Sequence, residues 1–201
     1  MREGYDVISA SYRDDEGSPN PGTTESTTTY RAWIDELAAM LPAGARVLDL
    51  GCGNGLPATR LLVERGFKTT GLDFSPKQLE RARRLVPGAN FLEADMATWS
   101  TGPATFDAVL ALYSLIHLPL SDQMDLIPRL ASWLRPGGLL LAVVGHRRWT
   151  GIEEYHGSPM FWDHAEGVAY ERWLTEAGFQ PLWRRFVPEG LGGHDLILAR
   201  K

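Results

Sequence analysis

Val47-Leu48-Asp49-Leu50-Gly51-Cys52-Gly53-Asn54-Gly55 is the stretch that decides how the rest of this chain is read. Four residues of strand character run into three glycines at alternate positions, and an amphipathic helix pattern resumes beyond them. The order is strand, tight turn, helix. Glycine at Gly51, Gly53 and Gly55 permits positive φ and lets a ligand approach the backbone with no Cβ in the way. The helix start beyond the turn offers unpaired amides to a polar group. A small molecule is expected to sit on this turn.

A dinucleotide fingerprint, Gly-x-Gly-x-x-Gly or Ala, needs a small residue at its last place. Counted from Gly51 that place is Leu56, followed by Pro57, so the turn departs from the nicotinamide pattern. The next strand, Lys68 to Asp73, ends on an acid about 20 residues past the glycines, where a carboxylate can accept from both hydroxyls of a ribose. Ser75-Pro76-Lys77-Gln78 then supplies an N-cap, a proline at the first helical position and a Gln at the third, the signature of a capping box. Asp73 is therefore not needed as a cap.

Outward from this centre, Tyr5 to Tyr12 carries a weak helical pattern. Asp14 to Thr29 is rich in Asp, Gly, Pro, Ser and Thr, which predicts a flexible lid. Residues 1–29 thus read as an N-terminal helix and lid ahead of a domain spanning 30–201. Tyr30, Trp33, Ile34, Leu37, Ala38 and Leu41 share one helical face that Pro42 and Gly44 terminate. A helix through Leu61, Leu62 and Val63 stops at Gly66, and another, with Leu79, Ala82, Leu85 and Val86, closes at Pro87-Gly88. Further strands are expected at Asn90 to Glu93, Phe106 to Leu112 and Leu139 to Val144. Pro128 should kink or divide a helix over Asp122 to Leu134. This alternation implies right-handed crossovers and a parallel sheet.

Between Gly145 and Pro159 the period breaks. Trp149, Tyr155, Met160, Phe161 and Trp162 either pack under a long loop or face a ligand. A last helix is expected over Asp163 to Ala177, with Asp163 and Glu166 as cap and first-turn acid. Strands over Gln180 to Phe186 and Asp195 to Arg200 then close as an antiparallel hairpin.

A chain of 201 residues, 44% hydrophobic and 22% charged, is a prior for one ordinary soluble domain. No apolar run nears the ~18 residues a membrane helix needs, and the first residues lack the apolar core of a signal peptide, so the default compartment is the cytoplasm. Cys52 stands alone, which rules out an internal disulfide and a cysteine metal cluster; a small spacer is the expected role, against a catalytic thiol. A formal charge of −5 gives no overall field for nucleic acid.

Taken together and in order, these segments resemble the class I S-adenosylmethionine-dependent methyltransferases, closest to the small bacterial enzymes grouped as the type 11 methyltransferase domain. The likeness covers roughly Tyr30 to Lys201. It rests on Asp49 to Gly55, Asp73, the pair Asp95 and Met96, Phe106-Asp107-Ala108-Val109-Leu110-Ala111-Leu112, and Leu134-Arg135-Pro136-Gly137-Gly138. The resemblance implies an α/β fold, a Rossmann-like three-layer αβα sandwich whose seven-stranded, mostly parallel sheet has its last strand antiparallel. It implies S-adenosylmethionine as cofactor, with Asp49, Gly51, Cys52, Gly53 and Gly55 forming the turn beside the methionine part. Asp73 would hold the ribose, Phe74 would lie against the adenine, and Asp95 with Met96 would flank its amino group. Leu112 would touch the methionine end through its backbone. Tyr12 and Tyr30 are candidates to close over the cofactor.

The implied reaction is methyl transfer to an O or N atom of a small, aromatic or apolar molecule by in-line displacement, in which orientation supplies most of the acceleration. A base is needed only if the acceptor arrives protonated. His117 and His146 follow the fourth and fifth strands, and ligands in open α/β sheets bind beyond those ends; each also reads as a histidine bonded to a loop carbonyl. Tyr113, Tyr155 and Trp162 are expected in the substrate wall. Arg147 and Arg148 fit either an acidic substrate group or a solvated corner. The expected partner is a small-molecule acceptor, with no nucleic acid or membrane; no metal-site residue is assigned, and metal dependence and oligomeric state are not readable. Two alternatives stay open: a cofactor-binding enzyme that cyclises or rearranges its substrate without methyl transfer, and a non-catalytic cofactor sensor.

Overall fold

The computed structural model describes residues 2–15 and 27–201. Val47 to Leu50 are all buried because β1 (Arg46–Leu50) runs at the middle of a sheet covered on both faces. With β2 (Lys68–Asp73), β3 (Asn90–Glu93), β4 (Phe106–Ala111) and β5 (Leu134–Gly145) it forms a parallel array. Next in the chain, β6 (Trp149–Tyr155) and β7 (Ser158–His164) pair only with each other. The terminal hairpin of β8 (Gln180–Glu189) and β9 (Gly192–Arg200) completes the main sheet in the order β3-β2-β1-β4-β5-β9-β8. The last strand lies antiparallel between β5 and β8.

Period-two alternation splits the sheet's side chains between two cores. On one face Leu48, Val109, Leu140 and Ile197 pack with Leu126, Leu130 and Trp133 of α5 (Leu120–Trp133) and with Tyr170 and Leu174 of α6 (Gly167–Glu176). On the other, Val47, Leu110, Leu141 and Leu198 meet Tyr30, Ile34 and Leu37 of α2 (Thr27–Ala38) and Leu61 and Leu62 of α3 (Ala58–Glu64). The remaining helices are α1 (Arg2–Tyr12) and α4 (Pro76–Leu85), which touch each other at the mouth of the sheet's carboxyl end.

Four sequence expectations change. The aperiodic stretch after Gly145 is the β6-β7 hairpin, whose register pairs Trp149 with His164 and Tyr155 with Ser158. That pairing draws the chain through His164, so α6 begins at Gly167 with Glu166 as N-cap, and Asp163 is a strand residue that accepts from the Leu120 amide at 2.8 Å. Pro128 does not divide α5, which runs unbroken with Leu126, Ile127 and Leu130 buried around it. At Ser75 the hydroxyl caps Gln78 as expected, at 3.1 Å, but the reciprocal arm of the box is missing. The Ser75 amide goes to Asp73, and the Gln78 carbonyl oxygen takes the Ser9 hydroxyl of α1 at 3.0 Å. Most of the stretch read as a lid, and the side chain of Tyr12, lie outside the described residues.

Candidate functional site

At the end of β1 the amides of Gly51 and Cys52 both donate to the Leu72 carbonyl, at 2.7 and 3.0 Å, which turns the backbone across the end of β2. Gly51 has φ +80°, and a Cβ there would stand 2.3 Å from the Cβ of Ser114, whose hydroxyl donates to the Leu50 carbonyl at 2.6 Å. No side chain fits that position. Gly53, at φ +54°, has nothing within 4 Å of the place a Cβ would occupy, so the turn shows bare backbone to the space above it.

Asp73 holds this turn from the neighbouring strand. Its Oδ2 accepts from the Gly53 amide and its Oδ1 from the Ser75 amide, both at 2.9 Å. Burial raises the Asp73 carboxyl above its ordinary range, and the amides oppose that rise. Beneath the turn Asp49 accepts from the Thr59 hydroxyl at 2.6 Å, and burial pushes its carboxyl up to about 6. Burial, with Asp73 and Asp49 nearby, also drives the Cys52 thiol well above its usual value, which suits a small packed spacer better than a nucleophile.

Above the turn opens a cleft of about 1200 Å³, its mouth included. It brings together Asp49, Gly51, Cys52, Gly53, Asp73, Phe74, Asp95, Met96, Leu112, Tyr113 and His117 from four strand ends and the loops after them. Gly55 is not among its walls; a Cβ there would meet Val86 at 3.0 Å, so this glycine lets α4 pack against the turn. Asp95 accepts from the Ala97 amide at 2.8 Å. Tyr113 sits at φ +57°, rare for a residue with a side chain. Its hydroxyl donates to Glu189 at 2.7 Å, and the other Glu189 oxygen takes His194 Nδ1 at 2.9 Å.

The two histidines read as possible bases part company. His117 lines the cleft, while His146 lies outside it, 2.9 Å from the fully buried Asp195 and tilted against Phe186 with ring centres 4.5 Å apart. Arg184 donates to the other Asp195 oxygen at 2.7 Å, so His146 belongs to a tie between β5 and the terminal hairpin. Trp162 and Tyr155 do not line the cleft either. Trp162 packs behind His117 with ring centres 5.3 Å apart, and Tyr155 meets Trp162 edge-on at 5.6 Å. Arg148 is engaged by Asp163 at 2.6 Å, and Arg147 is exposed.

Two wall residues, Tyr5 and Arg13, carry no sequence signal beyond a weak helix. They reach the cleft because α1 docks on α4 through polar contacts: Asp6 accepts from the Ser75 hydroxyl at 2.6 Å, and Arg81 donates to the carbonyls of Ser9 and Arg13. Arg13 is 2% exposed and lies over the Tyr30 ring at 5.4 Å, a cation–π distance. It is the only lysine or arginine among the described residues lining the cleft.

Comparison with known proteins agrees with this geometry. A family profile described as a methyltransferase domain matches residues 47–138. A trans-aconitate 2-methyltransferase from Methylobacterium nodulans is 37% identical over 186 residues, covering 81% of this chain and 69% of the relative. This chain belongs to the class I S-adenosylmethionine-dependent methyltransferases. A 27-O-demethylrifamycin SV methyltransferase from Amycolatopsis mediterranei is 42% identical over 137 residues, 64% of this chain. The methyltransferase described here matches 47% of that relative's length, about half. Its fold is also that of a Burkholderia thailandensis 1,6-didemethyltoxoflavin-N1-methyltransferase, solved with 1,6-didemethyltoxoflavin and S-adenosylhomocysteine. That match has a TM-score of 0.69 at 22% identity and covers 87% of this chain and 77% of the other.

The cofactor of the family, S-adenosylmethionine, suits what this methyltransferase offers. Bare backbone at Gly53 leaves room for close approach, Asp73 and Asp95 present carboxylates, Phe74 and Met96 present apolar surface, and Arg13 presents a cation to a ligand that carries a carboxylate. Among the described residues no group of three or more His, Cys, Asp or Glu is arranged to hold a metal ion. No described helix is long and apolar enough to cross a membrane.

Proposed function

We propose that this methyltransferase binds S-adenosylmethionine on its glycine turn and methylates an O or N atom of a small, aromatic or apolar molecule. The observation that carries this reading is the make-up of the cleft. Tyr5, Phe74 and Tyr113 give it aromatic walls, and its one lysine or arginine among the described residues, Arg13, stands on the glycine-turn side. Aromatic walls of this kind suit a flat aromatic acceptor.

Asp73 is the group to hold the ribose, Phe74 and Met96 the adenine faces, Asp95 the adenine amino group, and Arg13 the methionine carboxylate. Gly51 and Gly53 give close backbone approach there, with Leu112 beside them. When bound, the cofactor supplies a methyl group activated on a sulfonium. The chain's own contribution is orientation: Tyr113, pinned by Glu189, and Tyr5, pinned to His117, fix the walls against which an acceptor lies.

A polycarboxylate such as trans-aconitate, the substrate named for the Methylobacterium nodulans relative, would meet no lysine or arginine besides Arg13 among the described residues lining the cleft. The test is formation of S-adenosylhomocysteine by purified protein with three kinds of acceptor: simple phenols and aromatic amines, 27-O-demethylrifamycin SV, and trans-aconitate. Turnover of the first two kinds is expected. Preferential methylation of trans-aconitate would overturn the reading, and so would binding of the cofactor with no homocysteine product from any of them.

A further inference from the structure

Both ring nitrogens of His117 are committed. Nδ1 lies 2.8 Å from the Phe161 carbonyl oxygen. That oxygen can only accept, so Nδ1 carries the proton. Nε2 is then the bare nitrogen, and it accepts from the Tyr5 hydroxyl at 2.8 Å. The Tyr5 ring stands nearly perpendicular to the imidazole, at 85° and 5.6 Å, and Trp162 backs it. His117 lines the cleft as well, but with both its nitrogens engaged, the group on its Nε2 that an acceptor's proton can reach is the Tyr5 hydroxyl. A phenol oxygen can donate and accept at once, and Tyr5 lines the same cleft.

We propose that Tyr5 is a catalytic residue: it takes the proton of an acceptor hydroxyl while handing its own phenolic proton to Nε2 of His117. This deepens the proposed function by narrowing the acceptor to a molecule with a protic hydroxyl, and it rests on that reading. As the acceptor's oxygen bonds to the methyl carbon, the carbon–sulfur electron pair stays on sulfur and the acceptor's O–H bond breaks. The hydroxyl proton goes to Tyr5, the Tyr5 proton goes to Nε2, and the imidazole ends as imidazolium with Tyr5 again a neutral phenol. The positive charge lost at sulfur reappears on His117, so no new charge is created in the cleft.

That conservation answers the obvious objection. Burial pushes the His117 pKa down to about 4, with His194 and His164 adding smaller effects in the same direction, so ionising this ring by itself is costly. Exchanging one cation in the cleft for another avoids most of that cost. The Phe161 carbonyl fixes the tautomer beforehand and then faces the imidazolium, whose N–H it already accepts. The docking of α1 through Asp6 and Ser9 onto Ser75 and Gln78 sets Tyr5 in place.

Two readouts test this on the S-adenosylhomocysteine complex and on turnover. In histidine-labelled ¹⁵N spectra of the complex, His117 is expected as the Nδ1–H tautomer, with an Nε2 resonance that shifts in Tyr5→Phe. In kinetics at mildly alkaline pH the probes are phenol, which arrives protonated, and 4-nitrophenol, which arrives ionised. Tyr5→Phe and His117→Gln are each expected to slow phenol methylation about 10²–10⁴-fold and 4-nitrophenol methylation by less than about threefold. The double variant should lose no more than the worse single one. An Nε2 resonance unmoved by Tyr5→Phe, or equal losses with both phenols, overturns the relay. A wild-type protein that shows the expected spectrum yet methylates neither phenol overturns the acceptor class instead, so the two failures are distinct.

Discussion

The Tyr5 hydroxyl and His117 Nε2 meet at 2.8 Å across 112 positions of sequence, joining the first helix to the loop after β4. The pair makes His117 a neutral, hydrogen-bonded ring, and this has a consequence for stability. Its pKa falls from 6.5 in the unfolded chain to about 4 in the folded protein, so the unfolded chain binds the extra proton between those values. The stability contributed is fully present above pH 6.5 and is lost as pH falls toward 4. Removing His117 should abolish that slope. In urea titrations, the stability of the wild type minus that of His117→Gln is expected to fall by roughly 2–3 kcal/mol from pH 7 to pH 4. A difference that stays constant would contradict a depressed pKa. Asp49, pushed up to about 6, works in the opposite sense, adding stability at low pH that is lost as pH rises through 6. It is common to both proteins and cancels in the comparison.

Asp73 spends both carboxylate oxygens on amides of the chain, Gly53 and Ser75. Asp73→Asn puts an amide N–H against one of those donors, so the turn must shift. The expected cost is about 1–3 kcal/mol of stability and at least about tenfold in cofactor affinity. Calorimetric titration with S-adenosylhomocysteine reads the second; unchanged affinity would remove Asp73 from the cofactor site.

What was legible in the sequence was local. The glycine turn, the acid closing β2 and the Ser75 cap follow from spacing within a few residues, and each depends on contacts its own segment makes. The sheet followed because alternating strands and helices leave few parallel topologies open. Tyr5 and Arg13 were not legible because their places depend on α1 reaching α4, a contact between segments some 70 positions apart. His117 and His146 look equivalent in sequence, each just past a strand. They differ because β9 brings the buried Asp195 beside His146, whereas Phe161 and Tyr5 flank His117 in the cleft. The β6-β7 hairpin hid because its aromatic residues show no clean two-residue alternation, and its turn, His156-Gly157, puts a residue other than glycine at positive φ.

Gly51 and Gly53 share positive φ but not surroundings, and alanine at each should separate fold from site. Gly51→Ala forces a Cβ to within 2.3 Å of Ser114 and is expected to cost about 3 kcal/mol in stability. Gly53→Ala meets nothing within 4 Å, so strain of about 1–2 kcal/mol is the whole effect on stability. Its methyl, however, stands over the turn where the cofactor approaches, and S-adenosylhomocysteine affinity should fall about tenfold or more. Thermal unfolding without and with S-adenosylhomocysteine tells the two apart. Equal destabilisation by both, with ligand binding intact in Gly53→Ala, would show that the open backbone is not used.

Arg13 makes a sharper test of which end of the cofactor lies where. Its guanidinium is buried over Tyr30 beside the glycine turn. A charge-assisted bond from it to the methionine carboxylate is worth about 1.5–3 kcal/mol. Arg13→Gln should therefore weaken S-adenosylhomocysteine by about tenfold to a hundredfold. The same substitution should leave 5′-methylthioadenosine, which has the adenosine and sulfur but no carboxylate, bound as in the wild type. Calorimetry with both ligands measures the split. Parallel losses would mean that Arg13 shapes the cleft through Tyr30 and has no direct part in holding the carboxylate.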